Sequence, residues 1–221
     1  MPNTRLVLIR HGQTASNRGE PGMRMSGWTD LPLTEHGRYQ AELLRRRLEA
    51  GAPFAAIYTS PLWRARDTAL ELYEAGLGPL LVHEGLREIH CGEVDGRPVD
   101  EVQRHFPQHW EANLRQEDED FRWPGGESYR EFRERCLRTL RAIAAAHPGE
   151  RVAVVTHAGL ISQVLGALHG LSPARWEPFR PDNTALTELD WCGEHGALVR
   201  FDDKSHLVPP TSLPHARERR L

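Results

Sequence analysis

Two histidines in the sequence each directly follow a short apolar run. His11 stands in LVLIRHG and His157 in VAVVTHAG, and both runs have the length of a buried strand. Ligands of open α/β sheets bind beyond the carboxyl ends of the strands, so we expect both imidazoles to face one cleft. One histidine at a strand end is more often structural, but two in equivalent positions favour a functional site.

Two arginines are expected at the same cleft. Arg10 immediately precedes His11, and Arg64 lies in the first turn of a helix that Ser60-Pro61 is predicted to begin. A guanidinium group presents a planar fork of N–H donors that matches phosphate oxygens bidentately. The whole chain carries a formal net charge of -3, so the cationic cleft is a local feature. We therefore expect an anionic ligand there.

Strand and helix patterns alternate along the chain. Apolar runs predict strands at residues 6–10, 55–60, 79–83 and 151–157. Amphipathic spacing and helix-start signals predict helices at residues 34–50, from Ser60, from a capping box of Ser128 and Glu131, and at 158–168. The alternation predicts an α/β fold, namely a three-layer α/β/α sandwich around a mostly parallel sheet.

The rest of the chain is expected to elaborate this single domain of residues 1–221. Residues 184–191 and 197–202 predict a hairpin. Residues of about 84–127 are polar and weakly periodic, which is typical of an insertion that forms a lid or a substrate wall. Residues of about 207–221 lack a core pattern and are expected to form a C-terminal extension.

Composition excludes several classes of protein. The charge balance argues against a nucleic-acid partner or a membrane partner. No apolar run reaches about 18 residues, and the N-terminus lacks a signal-peptide pattern. Cys91, Cys136 and Cys192 are far apart and form no C-x-x-C motif, so we expect free thiols and a cytoplasmic location. The sequence gives no expectation of oligomeric state.

Five segments in order carry a resemblance to the histidine phosphatase superfamily, which has the phosphoglycerate mutase-like fold. They are RHG with Thr14 and Asn17, MSGWTDLPLTEHG, SPLWRARDT, LREIHCG and VVTHAG, over about residues 5 to 205. The resemblance implies a metal-independent enzyme without a cofactor that acts on a small phosphorylated metabolite through a phosphohistidine.

The resemblance also implies catalytic roles for particular residues. His11 would be the nucleophile, kept neutral by the cationic pocket, with its other ring nitrogen donating to a backbone carbonyl. Arg10, Arg64 and His157 would hold the phosphoryl oxygens as charge spreads during transfer. Glu88 would be the general acid, and nearby Glu93 is its substitute candidate. The expected phosphate-binding and substrate-binding residues are Gly12, Asn17, Ser26, Gly27 and Ala158.

Phosphatase and mutase chemistry share this pocket. Mutases of the family carry a lysine near position 99 and an Arg-Arg pair in the insertion, where this chain has Val99 and a single Arg115 among acids. Cys91 stands where those mutases have tyrosine, although Arg97 could partly restore the missing charge. We therefore predict hydrolysis of a phosphomonoester, with the cofactor-dependent mutase as the alternative and a non-catalytic binding module as the less favoured one.

Two other side-chain patterns allow competing interpretations. His105 and His109 have the i, i+4 spacing of a helical metal pair, but Pro107 between them disrupts the helix that the pair requires. No metal site is therefore predicted. Trp28 and Trp63 flank the motifs and fit a pocket wall or the core equally well.

Overall fold

A computed structural model of the protein describes residues 2–17 and 23–207. The strands are β1 (Thr4–Arg10), β2 (Ala56–Thr59), β3 (Leu80–Val82), β4 (Arg151–Thr156), β5 (Leu186–Cys192) and β6 (His195–Asp203). The helices are α1 (Glu35–Glu49), α2 (Trp63–Glu74), α3 (Val99–His105), α4 (Pro107–Arg115), α5 (Tyr129–Ala146) and α6 (Ala158–Leu168). The predicted C-terminal extension lies outside the described residues, apart from Leu207.

The strands form one mixed sheet in the order β3-β2-β4-β1-β5-β6. The β3–β2, β2–β4 and β4–β1 pairs are parallel, whereas β5 and β6 add an antiparallel hairpin at one edge. β1 and β4 are neighbours in register, with Arg10 opposite Thr156. Their carboxyl ends, followed by His11 and His157, therefore lie side by side.

Alternate side chains of β1 pack against helices on opposite faces of the sheet. Leu6 and Leu8 belong to a core cluster with side chains of α5 and α6. Val7 and Ile9 belong to a second cluster with side chains of α1 and α2. This period of two, with helices on both faces, confirms the predicted α/β/α arrangement.

Helix starts follow the sequence signals in two cases and not in the third. Thr34 caps α1 by accepting from the Gly37 N–H, and Ser128 and Glu131 form the predicted capping box of α5. The prediction for α2, with Ser60 as the cap and Pro61 as the first helical residue, was wrong by two residues, because the helix begins at Trp63. Ser60 is instead a loop residue whose hydroxyl forms hydrogen bonds with the Leu62 N–H and with His157.

The segment predicted as an insertion holds more regular structure than its sequence suggested. It contains α3 and α4, which are separated at Phe106 directly before Pro107, as expected for a proline that interrupts a helix. Aromatic side chains of this segment join a third core cluster with Tyr129. Within the described residues, no helix is long and apolar enough to cross a membrane.

Candidate active site

His11 presents one defined ring nitrogen to the site. The side chain is 6% exposed, and its backbone N–H donates to the Thr156 carbonyl at 3.0 Å. Nδ1 lies 2.7 Å from the Gly12 carbonyl oxygen. A carbonyl can only accept, so Nδ1 carries the proton and Nε2 keeps its lone pair. This is the tautomer that an attacking imidazole requires.

The surroundings of His11 keep it neutral. Burial lowers the pKa of His11 well below its ordinary value, and the charges of Arg64 and Arg10 lower it further. The sequence argument rested on the neighbouring cations alone, but burial is the larger cause.

His157 lies fully buried beside His11. The two ring centroids are 5.2 Å apart, and the rings are tilted by 59°. Nε2 of His157 is 2.9 Å from the Ser60 Oγ, while Nδ1 has no hydrogen-bond partner among the described residues. Burial, followed by the charge of Arg64, lowers the pKa of His157 well below its ordinary value. A neutral His157 thus has one ring nitrogen without a protein partner.

Arg64 is held rigidly by the loop that precedes α1. Its side chain is 1% exposed and donates to the carbonyls of Thr29 at 2.9 Å, Gly27 at 2.8 Å and Ser26 at 3.3 Å. A guanidinium has five N–H donors, so these bonds leave two of them for an anion. The loop therefore fixes the orientation of the Arg64 guanidinium group.

Arg10 keeps most of its donors uncommitted. Its Nη1 donates to the Pro181 carbonyl at 2.8 Å, and its buried Nε has no partner among the described residues. Burial, together with the nearby charge of Arg180, lowers the pKa of Arg10 to about 10, so the group stays cationic near neutral pH. A buried cation with a free N–H is suited to an anionic ligand.

The carboxylate of Glu88 lies against the start of α6. It accepts the backbone N–H of Ile89 and of Gly159, each at 3.0 Å. The Glu88 carbonyl accepts from the Trp28 indole at 2.8 Å and from Arg135 at 3.1 Å. Both ends of the residue are therefore fixed, and the carboxylate lines the same cavity as His11.

The cavity of about 300 Å³ gathers most of the sequence-predicted residues. Its lining includes Arg10, His11, Asn17, Ser26, Arg64, Glu88 and Ala158. The Asn17 side-chain oxygen accepts from the Thr14 N–H at 2.8 Å, which leaves its amide N–H groups free to donate.

Three predicted residues are outside this lining. His157 lies beside His11, with the ring centroids 5.2 Å apart, and Gly27 contributes its carbonyl to Arg64. Gly12 packs against α1, where a Cβ would collide with the backbone of Gly37. The absence of a side chain at Gly12 therefore makes room for α1.

Several supporting residues escaped the sequence analysis. Asn183 donates to the His11 carbonyl at 2.8 Å, and the Thr68 hydroxyl accepts from the Gly12 N–H at 3.0 Å. Gly159 contacts Glu88, and Asp95 holds the loop that grips Arg64. Gly159 and Thr68 stand inside the recognised motifs VVTHAG and SPLWRARDT, whereas no local pattern marks Asn183 or Asp95.

The histidines considered as a metal pair lie apart from the cavity lining. His109 stacks on Trp123 with a centroid distance of 6.2 Å, which is an aromatic packing contact. In the described ranges, no group of three or more His, Cys, Asp or Glu side chains is arranged to hold a metal ion. Trp28 and Trp63, the other undecided residues, are 38% and 53% exposed and lie outside the cavity lining.

Comparisons with known proteins agree with this geometry. The sequence model of the Histidine phosphatase superfamily (branch 1) matches residues 6–204. A glucosyl-3-phosphoglycerate phosphatase of Mycolicibacterium vanbaalenii is 36% identical over 78% of this chain and 77% of its own length. A 2,3-bisphosphoglycerate-dependent phosphoglycerate mutase of Gloeobacter violaceus is 34% identical over 85% of this chain and 82% of its own length. The structure of Bacillus stearothermophilus YhfR is similar with a TM-score of 0.84 at 34% identity, covering 93% of this chain and 100% of that chain.

Proposed function

This chain belongs to the histidine phosphatase superfamily, and we propose that it hydrolyses phosphomonoesters of small metabolites through a phosphohistidine on His11. One observation supports the proposal above all others. His11, whose Nε2 keeps its lone pair, lines a cavity that Arg10, Arg64 and Glu88 also line. A nucleophile, two cations and a proton carrier are the groups that phosphoryl transfer needs.

In the first step, Nε2 of His11 attacks phosphorus, and the bond from phosphorus to the ester oxygen breaks. Arg10 and Arg64 offer their uncommitted N–H groups to the phosphoryl oxygens, and His157 offers its unpartnered Nδ1. Glu88 transfers a proton to the departing alkoxide. The products are phosphohistidine and the free alcohol.

In the second step, water attacks phosphorus, and the bond to Nε2 breaks. Glu88, now a carboxylate, accepts a proton from that water. Inorganic phosphate leaves, and both His11 and Glu88 return to their starting states. The scheme calls for no metal and no cofactor, and we propose that the enzyme works without them.

The mutase alternative has one specific argument in its favour, the similarity to the Gloeobacter violaceus protein. The cavity argues for hydrolysis, because Val99 and Cys91 line it where mutases of the family present polar groups. Arg97 is committed to Glu101 at 3.2 Å and to the Glu93 carbonyl at 2.7 Å, and it lies outside the lining. A phosphoglycerate carboxylate would therefore lack the lysine and the pair of arginines that mutases of the family have at these positions.

We also propose a cytoplasmic location, which the buried thiols of Cys91 and Cys136 fit. Burial raises the pKa of both thiols, so both remain in the unreactive protonated form.

Phosphate release from a panel of phosphomonoesters tests the function directly. Wild type and His11→Ala are compared in the presence of a chelator, and acid-labile radiolabelled phosphate on the protein is trapped in parallel. We expect release and labelling by wild type only. Full activity of His11→Ala would overturn the mechanism. Isomerisation of 3-phosphoglycerate primed by bisphosphoglycerate, with little phosphate release, would establish the mutase instead.

A further inference from the structure

The part of the cavity beyond the phosphate-binding groups is walled by aromatic rings. These are Trp110, Phe121, Trp123, Tyr129 and Trp176. Three of them come from the segment of residues 84–127, the same segment that carries Glu88. In an in-line transfer the leaving oxygen lies opposite the attacking nitrogen. The alcohol portion of the substrate must therefore occupy this aromatic part of the cavity.

The aromatic wall is preformed. The Phe121 ring centroid lies 5.4 Å from that of Trp123 and 5.5 Å from that of Tyr129. The Tyr129 hydroxyl donates to Asn113, which also lines the cavity. Because these rings are ordered by contacts with each other, binding a flat apolar group against them costs little conformational entropy.

Three arginines line the cavity near the wall, and two of them each make one side-chain hydrogen bond among the described residues. Arg122 pairs with Glu131 at 3.2 Å, and Arg24 donates to the Gly96 carbonyl at 2.8 Å. The Arg180 side chain makes no hydrogen bond or ion pair among the described residues, and its guanidinium carbon lies 5.6 Å from the ring centroid of Trp176. This part of the cavity therefore offers several rings to an apolar group, and three exposed guanidinium groups line the same cavity.

We propose that the preferred substrates are phosphomonoesters whose alcohol portion carries an aromatic ring. This inference rests on the proposed function and names the substrate class of the same site. A cavity of about 300 Å³ is at the lower end of the range for small-molecule sites, so it accepts a phosphoryl group with a single ring system. Ring stacking and burial of apolar area would supply the preference.

The test uses substrates that differ in the ring but not in the leaving group. 2-Phenylethyl phosphate and ethyl phosphate both release a primary alcohol, so a rate difference reports on the pocket. We expect kcat/KM for the phenylethyl ester to exceed that for ethyl phosphate by about tenfold or more. O-Phosphoserine, with its carboxylate and ammonium groups, should be no better than ethyl phosphate. Equal values for the two alkyl esters would overturn the inference while leaving phosphatase activity intact.

Uncleavable analogues separate this inference from the proposed function. 2-Phenylethylphosphonate and ethylphosphonate bind without reacting, so calorimetry measures the pocket even if no ester is hydrolysed. We expect the aromatic phosphonate to bind about tenfold more tightly. Equal affinity would overturn the aromatic preference whatever the enzyme activity. Tight aromatic binding without phosphate release from any ester would instead refute the proposed function.

Variants then assign the preference to the wall. Trp110 and Trp176 are only partly buried, so Trp110→Ala and Trp176→Ala should fold, and Trp110→Leu keeps apolar bulk without the ring. We expect each alanine variant to lower the ratio of kcat/KM for the phenylethyl ester to kcat/KM for ethyl phosphate about fivefold or more. Tyr73→Ala removes an exposed aromatic ring outside the cavity lining and should leave this ratio unchanged. An unchanged ratio in both alanine variants would contradict the proposal. A strong preference for phosphoserine that Arg180→Gln abolishes would also contradict it and would make Arg180 a carboxylate clamp.

Discussion

The carboxylate of Glu88 and the backbone of Gly159 are in direct contact at the start of α6. The Gly159 N–H donates to Oε2 at 3.0 Å, and a Cβ at position 159 would collide with the carboxylate. The hydrogen bond and the missing side chain together define where Glu88 lies relative to His11. The glycine of VVTHAG is thus required for the carboxylate that stands in LREIHCG, 71 residues away.

Gly159→Ala should impair proton transfer to the leaving group by displacing Glu88. General acid catalysis is worth about 10²–10⁴-fold, and only poor leaving groups need it. We expect kcat for alkyl phosphates to fall about 100-fold, with a much smaller loss for p-nitrophenyl phosphate. Glu88→Gln should show the same dependence on the leaving group. Gly51→Ala is the matched control, since a Cβ there meets only the Leu48 carbonyl at an ordinary contact distance of 3.5 Å. Equal losses for both ester types would rule out this role for Glu88.

Ser60→Ala should disturb His157 in a measurable way. The Ser60 oxygen accepts from the Leu62 N–H at 3.3 Å, so its own O–H can donate to Nε2 of His157 at 2.9 Å. That bond would place the imidazole proton on Nδ1, the nitrogen available to phosphate. Its loss leaves a buried nitrogen unpaired and should lower the free energy of unfolding by about 1–3 kcal/mol.

Nitrogen-15 NMR of labelled histidine reports the tautomer of His157 directly, and so separates an effect of Ser60 on the tautomer from an effect on the free energy of unfolding. We expect an Nδ1-protonated His157 in wild type, a mixture of tautomers in Ser60→Ala and recovery in Ser60→Thr. Phosphate affinity should follow the Nδ1-protonated fraction. An Nε2-protonated His157 in the wild-type enzyme would show that the hydroxyl accepts rather than donates.

The two buried histidines make stability depend on pH. Burial lowers the pKa of both His11 and His157. In the unfolded chain, histidines take up protons below a pH of about 6.5, so the unfolded state binds more protons than the folded state. The free energy of unfolding therefore decreases as the pH is lowered. Each histidine contributes a slope that approaches about 1.4 kcal/mol per pH unit.

Urea unfolding between pH 7.5 and 5.5 measures this slope. The double variant His11→Asn with His157→Gln should lose less stability over that range than wild type. His36→Asn, which removes an exposed histidine, should retain the wild-type slope. The same slope in the double variant as in wild type would show that other groups cause the acid sensitivity.

The strands and the site residues at their ends could be predicted from the sequence because their causes are local. Hydrophobic periodicity located β1 and β4, and parallel pairing then places His11 beside His157. The start of α2 was mispredicted, because the Ser60 hydroxyl accepts the Leu62 N–H in the turn before the helix and also contacts His157, 97 residues away. A local capping signal does not reveal the contact with His157.

The aromatic wall could not be predicted for a related reason. Trp28 and Trp63 are adjacent to the motifs in sequence but lie outside the cavity lining, whereas Trp110 and Trp176 reach it from weakly patterned segments. Which ring faces a cavity depends on tertiary packing, and sequence proximity to a motif carries little information about it. The chemistry is therefore readable from the sequence, and the shape of the substrate site is not.

Asp95 positions Arg64 through the intervening loop. Its carboxylate accepts from the backbone N–H groups of Gly27, Trp28 and Thr29 at 3.0, 2.5 and 3.2 Å, and from the Thr29 hydroxyl at 2.7 Å. The carbonyls of the same loop hold the Arg64 guanidinium. A loop fixed by one carboxylate thus positions the guanidinium that we propose binds the phosphoryl group.

Asp95 can act on Arg64 through its negative charge or by anchoring the loop. Asp95→Ala distinguishes the two, because losing the charge and losing the anchor change the affinity for anions in opposite directions. Removing a nearby negative charge alone makes the pocket more positive and should tighten anion binding. Loss of the loop anchor should instead weaken it, and we expect the inhibition constant for inorganic phosphate to rise about tenfold with a parallel fall in kcat. Asp100→Ala removes an exposed carboxylate that pairs with Arg104 and should change neither value. Tighter phosphate binding by Asp95→Ala would mean that the Arg64 clamp keeps its geometry without this anchor.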